Sequence, residues 1–279
     1  RHAKASGFSP VGLELPFGPN EPLPPLTFQL PNGVTLEIAG RIDRVDKGES
    51  RRGLVLRIID YKSGAKDLSL AEIYYGLALQ MLAYLDVVIT HAKLWLGVEA
   101  EPAGVLYFHV HNPMLNEAEK PTDDELEEKL LKAFKMKGLL LADEEVIRLM
   151  DTELQTGDSA IIPVGFKKDG TLKKYSSVAS GDQFRLLRGH VREVMKKVGE
   201  AITDGVIDIA PYKMEARTPC QYCAFKPVCQ FDPAQAANAY RVLKNEDDDR
   251  IYEKMAGKEE GGDGDDGTTR QAEEQPMDR

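Results

Sequence analysis

The chain has 279 residues, 42% of them hydrophobic, and a formal net charge of −10. That is enough apolar material for one enzyme-sized core, so a globular body is expected rather than a fibrous or unfolded chain. No run of eighteen apolar residues occurs and the start, Arg1-His2-Ala3-Lys4, has no apolar leader, so neither a spanning helix nor a signal peptide is expected.

A cytoplasmic location follows from that reading, and the missing initiator Met reads as a piece of a longer polypeptide. The negative charge is unevenly spread. Residues 246–279 hold 13 acidic and 5 basic residues, which leaves the rest near −2. A near-neutral body can still carry a local basic groove, so global charge neither supports nor excludes nucleic acid.

In chain order, residues 1–33 are rich in Pro and Gly and read as an irregular lead-in. From residue 34 the apolar positions Val34, Leu36 and Ile38 alternate with Thr35, Glu37 and Ala39, which predicts a strand continuing to Asp43. After a charged turn, residues 54–60 are almost continuously apolar, as in a strand buried on both faces. Ile73, Leu77, Gln80, Met81 and Tyr84 fall at helical spacing and predict one helix over 69–90. A strand is predicted over 104–110, helices over 123–135 and 143–150, a strand over 160–166, and a second long helix over 182–202. The alternation implies an α/β fold with a central mixed sheet flanked by helices. The body runs over 34–245, and the acidic, glycine-rich 246–279 reads as a disordered tail.

Three side chains carry the chemistry. Asp43 ends one predicted strand, Asp60 ends the next, and Lys62 lies two residues on, on the same side as Asp60. On adjacent antiparallel strands the two carboxylates converge and repel unless a cation sits between them. Hard oxygen ligands select Mg²⁺ or Mn²⁺. A lysine beside that cation orients water or stabilises a phosphoryl oxygen, which is a kit for phosphodiester hydrolysis. Read alone, an Asp at a strand end followed by a lysine is also an ordinary surface turn. Arg41 and Arg44 flank Asp43 and suggest phosphate approach, while Gln80 and Tyr84, four apart, put an amide and a phenol on one helix face. Glu14 is a further candidate carboxylate. His91, His109, His111 and His190 read as packing or hydrogen-bonding residues.

Cys220, Cys223 and Cys229 are the only cysteines. Three thiols within ten residues read as ligands of Zn²⁺ or of an iron–sulfur cluster rather than as a disulfide framework.

The segments G-R-I-D-R (40–44), I-I-D-Y-K-S (58–63) and Q-M-L-A-Y (80–84) resemble the motifs of the RecB-type branch of the PD-(D/E)xK nucleases. The wording around them, Y-Y-G-L-A-L-Q-M-L-A-Y-L-D-V-V and G-V-L-Y-F-H-V-H-N-P, is most similar to the nuclease domains of AddB-type helicase–nuclease subunits. The resemblance runs from about residue 12 to 243. It implies a restriction-endonuclease-like core in which Asp43 and Asp60 bind Mg²⁺, Lys62 is catalytic, the Tyr61 carbonyl completes the metal shell, and Gln80 and Tyr84 lie near the DNA. It also implies a [4Fe–4S] staple on the loop 219–231, with a fourth cysteine outside this sequence, an AddA-like partner subunit, no membrane, and cutting of the 5′-ended single strand in double-strand-break repair. The metal-binding histidine usual upstream in this branch has no counterpart here; His2 lies too near the start to place. Two rival readings stay open: a catalytically idle, cluster-stabilised DNA-binding or docking module, and a zinc-bearing interaction domain.

Overall fold

The computed structural model describes residues 5–110, 122–235 and 238–257. It comprises two compact units, residues 1–205 and 206–279. The elements of the first are β1 (Ser9–Phe17), β2 (Leu26–Gln29), β3 (Thr35–Ile38), β4 (Gly40–Ser50), β5 (Gly53–Lys62), α1 (Leu70–Tyr74), α2 (Gln80–Leu96), β6 (Ala100–His109), α3 (Asp123–Ala133), β7 (Lys137–Leu141), α4 (Glu144–Met150), β8 (Gly157–Asp158), β9 (Gly165–Phe166), β10 (Val178–Ala179) and α5 (Gly181–Thr203).

Among the described residues the main sheet has six strands in the order β1-β4-β5-β6-β7-β10. β5 and β6 are parallel, as are β7 and β10, while β1/β4, β4/β5 and β6/β7 are antiparallel. The apolar run of β5 occupies a central place. Leu56 and Ile58 are fully buried on one face, and Val55 and Ile59 nearly so on the other. The expected α/β architecture with a mixed sheet is therefore the observed one.

Several boundaries differ from expectation. The segment 8–33 is not irregular: β1 pairs with β4, and β2 with β3. Pro10 and Pro16 are tolerated because β1 is an edge strand, where one side of the ladder needs no N–H donor. The predicted strand over 34–43 divides at Ala39, with β3 and β4 in different ladders; side-chain alternation reports faces and not backbone partners. The predicted helix over 69–90 breaks after Tyr74. Gly76, at φ +78°, turns the chain before α2 begins at Gln80. Only Gly165–Phe166 of the predicted strand 160–166 is extended. Ser159 Oγ accepts the N–H groups of Ile161 and Ile162 at 3.1 and 3.0 Å, and Pro163 has none to give.

α2 packs on β5 and β6 and against α5. Asp86 of α2 is buried between Arg188 and Arg192 of α5, at 2.8 and 2.6 Å. Deleting that carboxylate would leave two cations facing each other, so the pair fixes one docking of α2.

The second unit contains a short 3₁₀ turn (Pro219–Tyr222), α6 (Lys226–Cys229), a parallel pair of β11 (Tyr212–Met214) and β12 (Arg241–Leu243), and α7 (Asp248–Met255). The expected disordered tail over 246–279 is thus partly helical: α7 buries Ile251. Residues 258–279 lie outside the described residues. No helix among the described residues is long and apolar enough to cross a membrane.

Candidate active site

The β4–β5 ladder runs from Ser50 against Gly53 to Arg44 against Ile59. One further step along this register sets Asp43 opposite Asp60. Asp43 Oδ2 accepts the Tyr61 N–H at 2.9 Å, so a side chain takes over where the ladder stops. The expectation that each aspartate ends its strand is corrected: Asp43 lies inside β4, and Asp60 and Lys62 fall in the last three residues of β5. Alternation still sends Asp60 and Lys62 to the same face.

Lys62 Nζ stands 2.6 Å from Asp60 Oδ2 and 3.4 Å from Gln80 Oε1. Gln80 in turn donates from Nε2 to the Tyr84 hydroxyl at 3.0 Å. Gln80 opens α2 and Tyr84 lies one turn on, its ring edge-on to Phe17 at 5.8 Å. The relay from Tyr84 through Gln80 holds the lysine against the carboxylate. The structure therefore brings together Asp43, Asp60, Lys62, Gln80 and Tyr84.

Asp60 is 2% exposed, and its Oδ2 makes no well-formed hydrogen bond although the Lys62 ammonium is close. Both statements hold, because the contact is short but poorly angled, an ionic approach that leaves the lone pairs unsatisfied. Burial pushes the Asp60 carboxyl above the usual carboxylate range; Lys62 pulls it back and Asp43 adds to the rise. A buried oxygen with an unused lone pair, beside a second carboxylate, fits a hard divalent cation. Among the described residues no three His, Cys, Asp or Glu side chains converge on one metal position. The side chains on the page that could hold such an ion are Asp43 and Asp60.

Arg44 corrects its expected place. It lies on the opposite face from Asp43, bound to Asp46 at 2.6 and 3.0 Å and to the Tyr61 hydroxyl at 3.3 Å. Adjacent strand residues point to opposite faces, so only Arg41 can share the face of Asp43. Arg41 is exposed, with Glu14 at 4.0 Å. Glu14 falls opposite Asp43 in the β1–β4 register at φ +46°, a left-handed backbone that is unusual outside glycine. Two histidines take structural roles. His109 Nε2 accepts the Lys66 N–H at 2.9 Å, and His190 Nε2 donates to the Tyr74 carbonyl at 2.9 Å while stacking on its ring. His91 is half-buried, and its Nε2 has no hydrogen-bond partner. His2 and His111 lie outside the described residues.

Tyr107 was not foreseen. It sits in register with Asp60 on β6, with its phenol pushed up to about 12 by burial and by the charges of Asp60, Glu72 and Asp67. It therefore remains a neutral wall of the site. Asp46, fully buried between Arg44 and Arg57, was also missed, and it welds β4 to β5 behind the site. The visible signal was Arg57, a lone charge inside the apolar run of β5.

Residues 1–230 match the PD-(D/E)XK nuclease superfamily. The chain belongs to that superfamily. Its curated relatives include the ATP-dependent helicase/deoxyribonuclease B-subunit of Bacillus subtilis strain 168, 61% identical over 252 residues, which are 90% of this chain and 22% of that protein. The namesake in Bacillus licheniformis is 56% identical over 264 residues, 95% of this chain and 23% of its own length. That in Bacillus velezensis is 59% identical over 252 residues, 90% of this chain and 22% of its own length. The chain thus spans about a fifth of the length of these relatives. Asp43 of β4 and Asp60-Tyr61-Lys62 of β5 lie within the residues matched to that superfamily.

The three cysteines lie in the second unit and are unpaired; Cys220 and Cys229 are half-buried and Cys223 is exposed. Their chemistry suits a thiophilic metal, but their arrangement does not itself assemble a ligand set.

Proposed function

We propose that the chain is a metal-dependent deoxyribonuclease unit that hydrolyses phosphodiester bonds of single-stranded DNA. The carrying observation is the orphaned, buried Oδ2 of Asp60 beside Asp43 and Lys62 in a chain of this superfamily. Asp43, Asp60 and the Tyr61 carbonyl would hold Mg²⁺ or Mn²⁺, which lowers the pKa of bound water and polarises the phosphoryl group. Lys62 supplies positive charge where a phosphoryl oxygen gains negative charge, and Gln80 keeps the ammonium aimed there. Tyr84 fixes the amide so that its oxygen, not its NH₂, faces the lysine.

The relatives' name supports a deoxyribonuclease module within the B subunit of a helicase–nuclease, and the motif resemblance extends that reading to an exonuclease paired with an AddA-like helicase–nuclease, trimming the 5′-ended strand during cytoplasmic double-strand-break repair. Cys220, Cys223 and Cys229 are read as three ligands of a [4Fe–4S] cluster, with the fourth outside this sequence. The spacing supports this; the free thiols are compatible with it.

Asp60→Ala tests the central claim. It should abolish Mg²⁺-dependent cleavage of a single-stranded oligonucleotide while the protein melts normally, and Lys62→Ala should act likewise with a smaller loss of metal affinity. Cleavage by purified Asp60→Ala at the wild-type rate would refute the assignment and favour the idle DNA-docking module.

A further inference from the structure

The sheet register places a second chemistry in line with the carboxylates. Asp60 of β5 pairs with Tyr107 of β6, and Tyr107 with Lys137 of β7. Laterally paired residues share a face, so Lys137 lies on the face of Asp60, two strands away, about 10 Å at the usual spacing between strands. There an open cleft of about 510 Å³ is walled by His109, Lys132, Lys135, Lys137, Tyr175 and Ser177. Its charged lining is three lysines against one aspartate, Asp67, which Lys137 contacts at 3.2 Å.

Lys135 is the distinctive member. It is half-buried, and among the described residues its ammonium has neither a hydrogen bond nor an ion pair. The two acids whose charge acts on it are already engaged: Asp158 by Lys173 and Tyr175, and Asp151 by Ser159 at 2.6 Å. A partly desolvated cation without a counter-ion costs free energy unless an anion arrives. Burial draws its pKa below the ordinary lysine value, while the charges of Asp158 and Asp151 pull it partly back. Tyr175, 58% exposed on the same wall, offers a flat aromatic face. Lysine charge beside an exposed aromatic ring is the combination that grips single-stranded nucleic acid, phosphate on one and base on the other.

We propose that this cleft holds a backbone phosphate of single-stranded DNA away from the scissile one, with Lys135 as its cation, Lys132 and Lys137 flanking, and a base on Tyr175. The assignment rests on the deoxyribonuclease reading for its substrate. A lysine suits the task because a point charge with three rotating donors tolerates a backbone of variable geometry. The strand would lie across the sheet face from β7 toward β5, so the cleft sets position while Asp43, Asp60 and Lys62 act on the bond.

Binding of a single-stranded oligonucleotide in EDTA, at several salt concentrations, tests this without cleavage. Lys135→Gln should weaken binding about tenfold at low salt, and should shrink the slope of log affinity against log salt by about 0.7, one phosphate's share for a single strand. Lys135→Arg should restore both. Tyr175→Ala should weaken binding without changing the slope, since stacking releases no counter-ions. With Mg²⁺, Lys135→Gln should raise KM more than it lowers kcat. An unchanged affinity and slope in Lys135→Gln overturns the proposal, as does an equal loss in Lys135→Arg. Weakened binding of inorganic phosphate with intact oligonucleotide binding also overturns it, marking a free-anion site. Failure of the wild-type protein to cleave would refute the nuclease reading and leave this comparison standing.

Discussion

At the scale of single residues, the chain tolerates several buried charges, and each is matched to a task. Asp46 and Asp86 are buried and each is clasped by two arginines, so they hold strands and helices in place. Asp60 is equally buried but meets only one badly angled ammonium, and that imbalance is what supports the proposed metal-binding role. His190 shows the opposite case, a half-buried group whose neutral form is favoured. Burial lowers its pKa below the usual 6.5, with Lys197 adding to the fall and the Tyr74 carbonyl opposing it. The unfolded chain therefore binds the proton more readily than the folded one. Stability is whole above the unfolded pKa and declines as pH falls through it toward the lower folded value. Urea midpoints measured from pH 7.5 down to 5.5 should fall for the wild type, and fall less for His190→Phe, which keeps the ring stack on Tyr74. Parallel profiles would show that His190 contributes nothing to the pH dependence.

At the scale of elements, the break between α1 and α2 matters most for the site. Gly76 takes a positive φ, and a Cβ there would stand 2.9 Å from Val194 of α5. The break makes Gln80 the first residue of α2, beside the end of β5. A continuous helix would leave Gln80 no such freedom. The cysteine loop is the second telling element. Tyr222, Phe225 and Val228 are 93%, 74% and 85% exposed beside the three thiols, so apolar packing within the described chain does not hold this loop. The proposed metal crosslink would supply what packing lacks. Protein purified anaerobically should accordingly carry iron and acid-labile sulfide, and replacing Cys223 by Ala should remove both. Stoichiometric zinc without iron would overturn the cluster assignment and favour a zinc-bearing loop.

At the scale of the molecule, the question is how a chain of net charge −10 approaches a polyanion. The charge is segregated: residues 258–279 alone carry 8 acidic and 3 basic side chains. The lysine-lined cleft and the carboxylate pair share a sheet face in the first unit. Deleting 258–279 should tighten oligonucleotide binding at low salt and leave it unchanged at high salt, where screening shortens the reach of exposed charge. Binding that weakens on deletion would show that this segment takes part in recognition.

The sequence by itself determined which side chains gather at the candidate site. Asp43, Asp60, Lys62, Gln80 and Tyr84 were legible because D-x16-D-x-K at strand positions and Q-x3-Y at helical spacing depend only on local periodicity. The mixed sheet followed from the alternation of strands and helices, and the central place of β5 from its run, apolar but for Arg57. What only the tertiary structure decided is whatever depends on partners distant along the chain. β1 was hidden because an edge strand accepts prolines that argue against strand locally. Arg44 is the exception, misplaced for a local reason: strand alternation alone sends it, with Asp46, to the face away from Asp43. The row from Asp60 through Tyr107 to Lys137 joins residues 77 positions apart through two ladders, and Lys132, Lys135 and Lys137 read along the chain as an ordinary basic stretch. Periodicity tells which way a side chain points; only strand pairing tells what it points beside.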